Sequence, residues 1–137
     1  MIEIIHRYRP LPCPAKLLRE TAAAVYCGEN IGKNEAVTLI LCSDYMIRKL
    51  NHQYRKIDRA TDVLSFPFGD PDLLGEIYIS LQRAKIQAKR YGLTYNEELK
   101  RLLIHGLLHL IGYDHHKKAE KAAMEAKERY YSRSILK

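Results

Sequence analysis

Apolar and polar positions alternate along this chain in two periods, and the change between them marks out the elements. Residues 2–6, IEIIH, have the length and apolar content of a short strand. Pro10, Pro12 and Pro14 then interrupt regular structure. From Ala15 to Cys27 apolar residues recur at helical spacing, and Gly28 is positioned to end that helix. Residues 29–35 are turn-like. Ala36–Cys42, AVTLILC, is a continuous apolar run of strand length and predicts a strand buried on both faces. Ser43 is a ready N-cap for a helix from Asp44 to about Gln53, with Asp44 favourably placed against the helix dipole and Met46, Ile47 and Leu50 as its apolar stripe.

The second half reads as two more strands and three helices. Residues 61–68, TDVLSFPF, predict a strand, and Pro67 puts it at a sheet edge or at its own end. Gly69–Leu74 reads as a turn, and Gly75–Ser80 as a fourth strand. Ser80 can cap a helix through Tyr91, with Gly92 as its stop. Thr94 and Glu97 have the spacing of a capping box and open a helix that carries the apolar run Leu99–Ile111. Residues 117–132 predict a last helix of mixed charge, with Ala119, Ala122, Ala123 and Ala126 on its less polar side. Without repeat, linker or low-complexity segment, the order predicts one α+β domain over residues 1–137. About four strands are covered by helices, and the 99–111 helix packs on the sheet.

Composition changes this picture little. The chain has 137 residues, 47% of them hydrophobic, which is enough for a real core. No apolar run approaches the ~18 residues of a membrane span, so none is expected. MIEIIHRYRP lacks the apolar stretch of an export signal, and a cytoplasmic location is expected. Cys13, Cys27 and Cys42 are odd in number and scattered, and read as reduced thiols with packing roles. The formal charge of +7 bears on partners; with a metal site it points to a polyanion, RNA first, although many small basic proteins bind no nucleic acid.

The chemistry concentrates in His105–His115, HGLLHLIGYDH. His105 and His109 stand one turn apart on one helix face, which is the geometry a metal needs from its first two ligands. Gly112 can turn the chain sharply, so that His115 returns as a third ligand; His116 is the alternative. Three imidazoles with a fourth position open make a catalytic rather than a structural zinc arrangement. The bland alternative is a trio of histidines with no metal. The spacing resembles that of the metzincin proteases, but Gly106 stands where those enzymes carry the glutamate base.

HGLLHLIGYDH, taken with NHQYRKIDRATDVLSFPF and LGEIYIS, resembles the bacterial YbeY family of metal-dependent endoribonucleases. The motifs span residues 36–116, and the order of elements fits over nearly the whole chain. The resemblance implies one zinc ion on His105, His109 and His115, with a zincin-like ligand helix, and a functional role for Arg55. It also implies single-strand-specific cleavage of RNA in ribosomal RNA maturation, at the three-prime end of the small-subunit RNA, and in ribosome quality control. Small ribosomal subunits would then be partners, and neither DNA nor membrane would be. Glu76 stands where the family pattern has Asp.

Zinc would lower the pKa of a bound water and polarise a phosphoryl oxygen. Arg55 could grip the phosphate through two parallel hydrogen bonds; its bland alternative is a surface arginine paired with Asp58 or Asp62. Asp62, Glu76 and Asp114 are carboxylates within the motifs, each with a structural alternative, and none is assigned as base. Tyr54 and Tyr113 flank the motifs and could stack on bases or simply pack. Four basic clusters, Arg48–Lys49, Arg55–Lys56–Arg59, Lys85–Lys89–Arg90 and Lys117–Lys118–Lys121, could follow a phosphate backbone or be solvated helix faces. Two other functions compete: a metallopeptidase, which Gly106 disfavours, and a non-enzymatic ribosome-assembly factor with a structural zinc.

Overall fold

The computed structural model describes residues 1–113 and 118–134. Its elements run β1 (Ile2–His6), α1 (Ala15–Gly28), β2 (Ala36–Cys42), α2 (Asp44–Arg55), β3 (Val63–Asp70), β4 (Leu73–Ser80), α3 (Leu81–Tyr91), α4 (Tyr95–Leu110) and α5 (Lys118–Ser134). The strands form one mixed sheet in the order β1-β2-β4-β3. β1 and β4 run parallel to β2, and β3 is antiparallel to β4 at an edge. That edge position accommodates Pro67, which has no N–H for a second partner. The fold is the α+β arrangement that the sequence predicts.

Alternation in the central strands feeds two cores. Val37, Leu39 and Leu41 of β2 and Ile77 and Ile79 of β4 face one way, into a large cluster with Leu18, Leu103, Ile104 and Leu107 of α1 and α4. Ile40 and Cys42 face the other way and meet Ile47 of α2 and Leu64 of β3. Each fully buried aliphatic side chain contributes about 1.5–3 kcal/mol, so the larger cluster dominates stability. The sheet is thus sandwiched between α2 on one face and α1, α3 and α4 on the other, with α5 laid over α1 and α4.

The predicted caps form. Ser43 Oγ accepts from Met46 N at 3.1 Å and Ser80 Oγ from Arg83 N at 3.1 Å. Thr94 and Glu97 make the reciprocal bonds of a capping box. Three expectations change. Gly69–Leu74 is not a free turn: β3 and β4 extend into it, Asp70 pairs with Leu73, and only Pro71 and Asp72 connect them. β3 starts at Val63, because the Asp62 carboxylate takes the Val63 N–H at 2.8 Å and ends the preceding loop. Of the cysteines, Cys42 is fully buried, and burial pushes its thiol up to about 12, whereas Cys27 is exposed rather than packed into either core.

Candidate active site along the edge strand

α4 is the most deeply embedded helix. Its Leu99, Leu102, Leu103, Ile104, Leu107 and Leu108 are all buried, and it touches α1, α3, α5, β3 and β4. Gly106 shows why the sequence has no side chain there. A Cβ at Gly106 would stand 2.9 Å from Ile77 Cγ2 and 3.0 Å from Ile77 Cδ1, so glycine lets α4 settle directly on β4. The position that holds a glutamate base in metzincins therefore faces the sheet here.

His105 and His109 are half-buried on another face of α4, with ring centroids 4.9 Å apart at an interplanar angle of 65°. Glu128 of α5 meets His105 Nδ1 through Oε1 at 3.2 Å, which leaves Nε2 on the far edge of the ring. Gly112 N donates to His109 O at 3.1 Å, and its φ of +106° turns the chain as the sequence predicts. His115, His116 and Asp114 lie outside the described residues. Among the described residues no group of three His, Cys, Asp or Glu side chains converges for a metal. The pair itself fits a zinc ion in chemistry: two borderline-soft nitrogen donors on adjacent turns, one with its second nitrogen engaged by a carboxylate.

The opposite wall comes from the end of α2. Asn51, only 3% exposed, donates from Nδ2 to Arg59 O at 2.9 Å, and its backbone carbonyl accepts from Ile57 N at 3.3 Å. These bonds hold the 56–62 connection against α2. Lys56, with φ of +61°, closes the helix just after Tyr54 and Arg55. Tyr54, Arg55, residues 61–66, His105 and His109 together line a cleft of about 560 Å³. The cleft runs along β3, where the two helical layers reach the sheet edge, so α2 and α4 face each other across it. Arg55 is exposed and makes no ion pair among the described residues; Asp58 pairs with Arg48 at 2.9 Å instead. Tyr54 is 60% exposed and rests edge-on against Phe66, which contacts Tyr78 in the same way.

The carboxylates sort by their partners. Asp62 lines the cleft, but Oδ1 accepts from Val63 N and, at 3.3 Å, from Thr61 Oγ1. With its amide nitrogen turned toward the acids, Gln87 donates to Asp62 Oδ2 at 3.2 Å and to the buried Glu98 at 2.8 Å. Glu98 also takes both arms of the Arg101 guanidinium at 2.7 and 2.8 Å. Glu76 is not among the residues that line the cleft and accepts from Tyr78 Oη at 3.2 Å. Tyr113 donates to Glu29 at 2.9 Å, so it serves packing between α1 and the end of α4. Among the described residues of the basic clusters only Arg55 lines the cleft, and Lys117 lies outside the described residues; Arg48 and Arg59 line a separate recess with Asp44, Tyr45 and Arg83. Glu128 was not legible as a site residue, because α5 reads only as a helix of mixed charge.

A sequence profile of the family described as Endoribonuclease YbeY matches residues 13–135. An Endoribonuclease YbeY of Acholeplasma laidlawii is 46% identical over 98 residues, covering 70% of this chain and 72% of that protein. Another, of Anaeromyxobacter dehalogenans, is 42% identical over 125 residues, covering 88% of this chain and 64% of that longer protein. The solution structure of TM1509 from Thermotoga maritima matches with a TM-score of 0.71 and 34% identity, covering 98% of this chain and 89% of that one.

Proposed function

Because the chain belongs to the YbeY endoribonuclease family, we propose that it is a zinc-dependent endoribonuclease whose active site is the cleft along β3. Its substrate is single-stranded RNA, at the three-prime end of small-subunit ribosomal RNA, cut in the cytoplasm during maturation and quality control. His105, His109 and His115 hold the metal. When bound, zinc supplies a Lewis acid for the phosphoryl oxygen and acidifies water at neutral pH.

The chain's own residues do the rest. Arg55 binds the scissile phosphate with two parallel N–H···O bonds and offsets charge as it develops on phosphorus. Tyr54 offers its exposed ring to an unpaired base, which a duplex would keep stacked. Asp62 has both oxygens engaged and braces the loop between Arg55 and β3. The fixed positive charge of Arg55 and the overall +7 favour a polyanion over a peptide.

The observation that supports this reading is the shared cleft: an exposed guanidinium with no ion pair among the described residues, and an exposed tyrosine, opposite two adjacent imidazoles. The peptidase reading is disfavoured because position 106 faces Ile77. A test offers zinc-loaded protein labelled single-stranded RNA, duplex RNA, single-stranded DNA and casein. Cleavage of the single-stranded RNA alone, abolished by chelation and restored by zinc, is expected. Equal cutting before and after chelation, or hydrolysis of casein, would overturn it. No cutting even with ribosomes present would favour the assembly factor.

A further inference from the structure

We propose that Glu128 is a positioning residue: it keeps the proton of His105 on Nδ1 and so commits Nε2 to the metal. This rests on the zinc site proposed above. The carboxylate Oε1 lies 3.2 Å from Nδ1. A carboxylate accepts and cannot donate, so the bond requires Nδ1–H, and the lone pair is then on Nε2, at the other edge of the ring. A histidine without such a partner divides its proton between the two nitrogens, and part of the population presents the wrong one to a metal.

The rest of α5 is built to hold that carboxylate still. Met124, Glu128 and Tyr131 follow at offsets of four and three and share one face. Met124 and Tyr131 are buried in the main core, and Glu128 between them is only 17% exposed on its side chain. Tyr131 Oη donates to Glu29 at the end of α1, and Lys127 Nζ reaches the same carboxylate at 3.1 Å. Lys100 Nζ of α4 donates to Ser132 O at 2.7 Å. Arg101, already bound to Glu98, also feels the Glu128 charge. If Glu128 served only to balance Arg101, its removal would leave the His105 tautomer and the zinc affinity untouched.

The test uses the whole 137-residue chain and zinc itself. In the metal-free wild type, long-range ¹H–¹⁵N correlation at neutral pH should show His105 protonated at Nδ1. Glu128→Ala, checked for folding by circular dichroism, should mix the tautomers and weaken zinc binding about 10–100-fold in competition with a chromophoric chelator. Glu128→Gln should stay within about threefold of wild type, since its amide oxygen accepts the same bond. Wild-type His105 in its neutral form with the proton on Nε2 and not on Nδ1 would overturn the proposal even if the alanine variant failed to fold. So would a folded Glu128→Ala with unchanged zinc affinity. Tautomer and affinity effects as expected, in a protein that cuts no RNA, would sink the nuclease reading and leave the role of Glu128 standing.

Discussion

α4 and α2 face each other across the same cleft but are held in opposite ways. α4 is buried nearly all round, with even Glu98 and Lys100 enclosed and paired. α2 is amphipathic and buries only Ile47 and Asn51. Metal ligation tolerates little error in ligand position, so ligands belong on a helix that packing fixes from several sides. A flexible polyanion is better met by long exposed side chains at a helix end, where Arg55 and Tyr54 stand. The α4 wall is thus tied to folding, and the α2 wall can be altered almost independently of it.

The largest effect should come from Gly106→Glu, which forces a side chain into Ile77 and should leave no cooperative thermal transition. Gly106→Ala should cost about 1–2 kcal/mol in urea denaturation, the clash exceeding the gain in helix propensity. An unchanged midpoint would mean that α4 is not seated on β4 as described. Arg55→Ala should lower RNA cleavage at least ~100-fold while leaving the thermal midpoint in place, because Arg55 is exposed and makes no ion pair among the described residues. Asn51→Ala should be the exception on α2: it removes the Nδ2 bond that ties Arg59 O to the helix and should cost about 1–3 kcal/mol, with reduced cleavage alongside. Tyr54→Ala should weaken single-stranded RNA binding by about 1–2 kcal/mol in fluorescence titration, and Tyr54→Phe should restore it.

The smallest effect concerns acid. Burial alone would raise the Glu29 carboxyl, but hydrogen bonds from Tyr131, Lys127 and Tyr113 outweigh it and hold Glu29 below its ordinary value. A carboxyl with a depressed folded pKa stabilises above its unfolded pKa and loses that contribution as pH falls through the folded one. Glu29→Gln should therefore melt earlier than wild type near neutral pH, and the gap should close in acid. A gap that widened in acid would contradict the assignment.

What the sequence disclosed was local. The caps at Ser43, Ser80 and Thr94 need residues within three positions, and the His105–His109 pair needs only the helical repeat. The continuous apolar run of β2 and the alternation of β4 were equally open to reading, as was Pro67 at an edge. The rest depends on contacts between distant segments. Gly106 looked like a lost base until Ile77 arrived beneath it. Tyr113 stood open between stacking on a base and packing until Glu29, far earlier in the chain, took its hydroxyl. Glu128 carried no signal at all, because its meaning is the ring it touches on another helix. The role of Arg55 was visible only through the family's motif, and its place opposite the histidines only in the fold.

The most direct test is to measure zinc content and cleavage of single-stranded RNA on the same folded preparations of wild type, His109→Ala and Arg55→Ala. If α4 holds the metal and α2 the RNA, His109→Ala loses both zinc and cleavage, and Arg55→Ala keeps zinc while losing cleavage. An Arg55→Ala protein that cuts like wild type, or a His109→Ala protein that keeps both its zinc and its activity, would contradict the account.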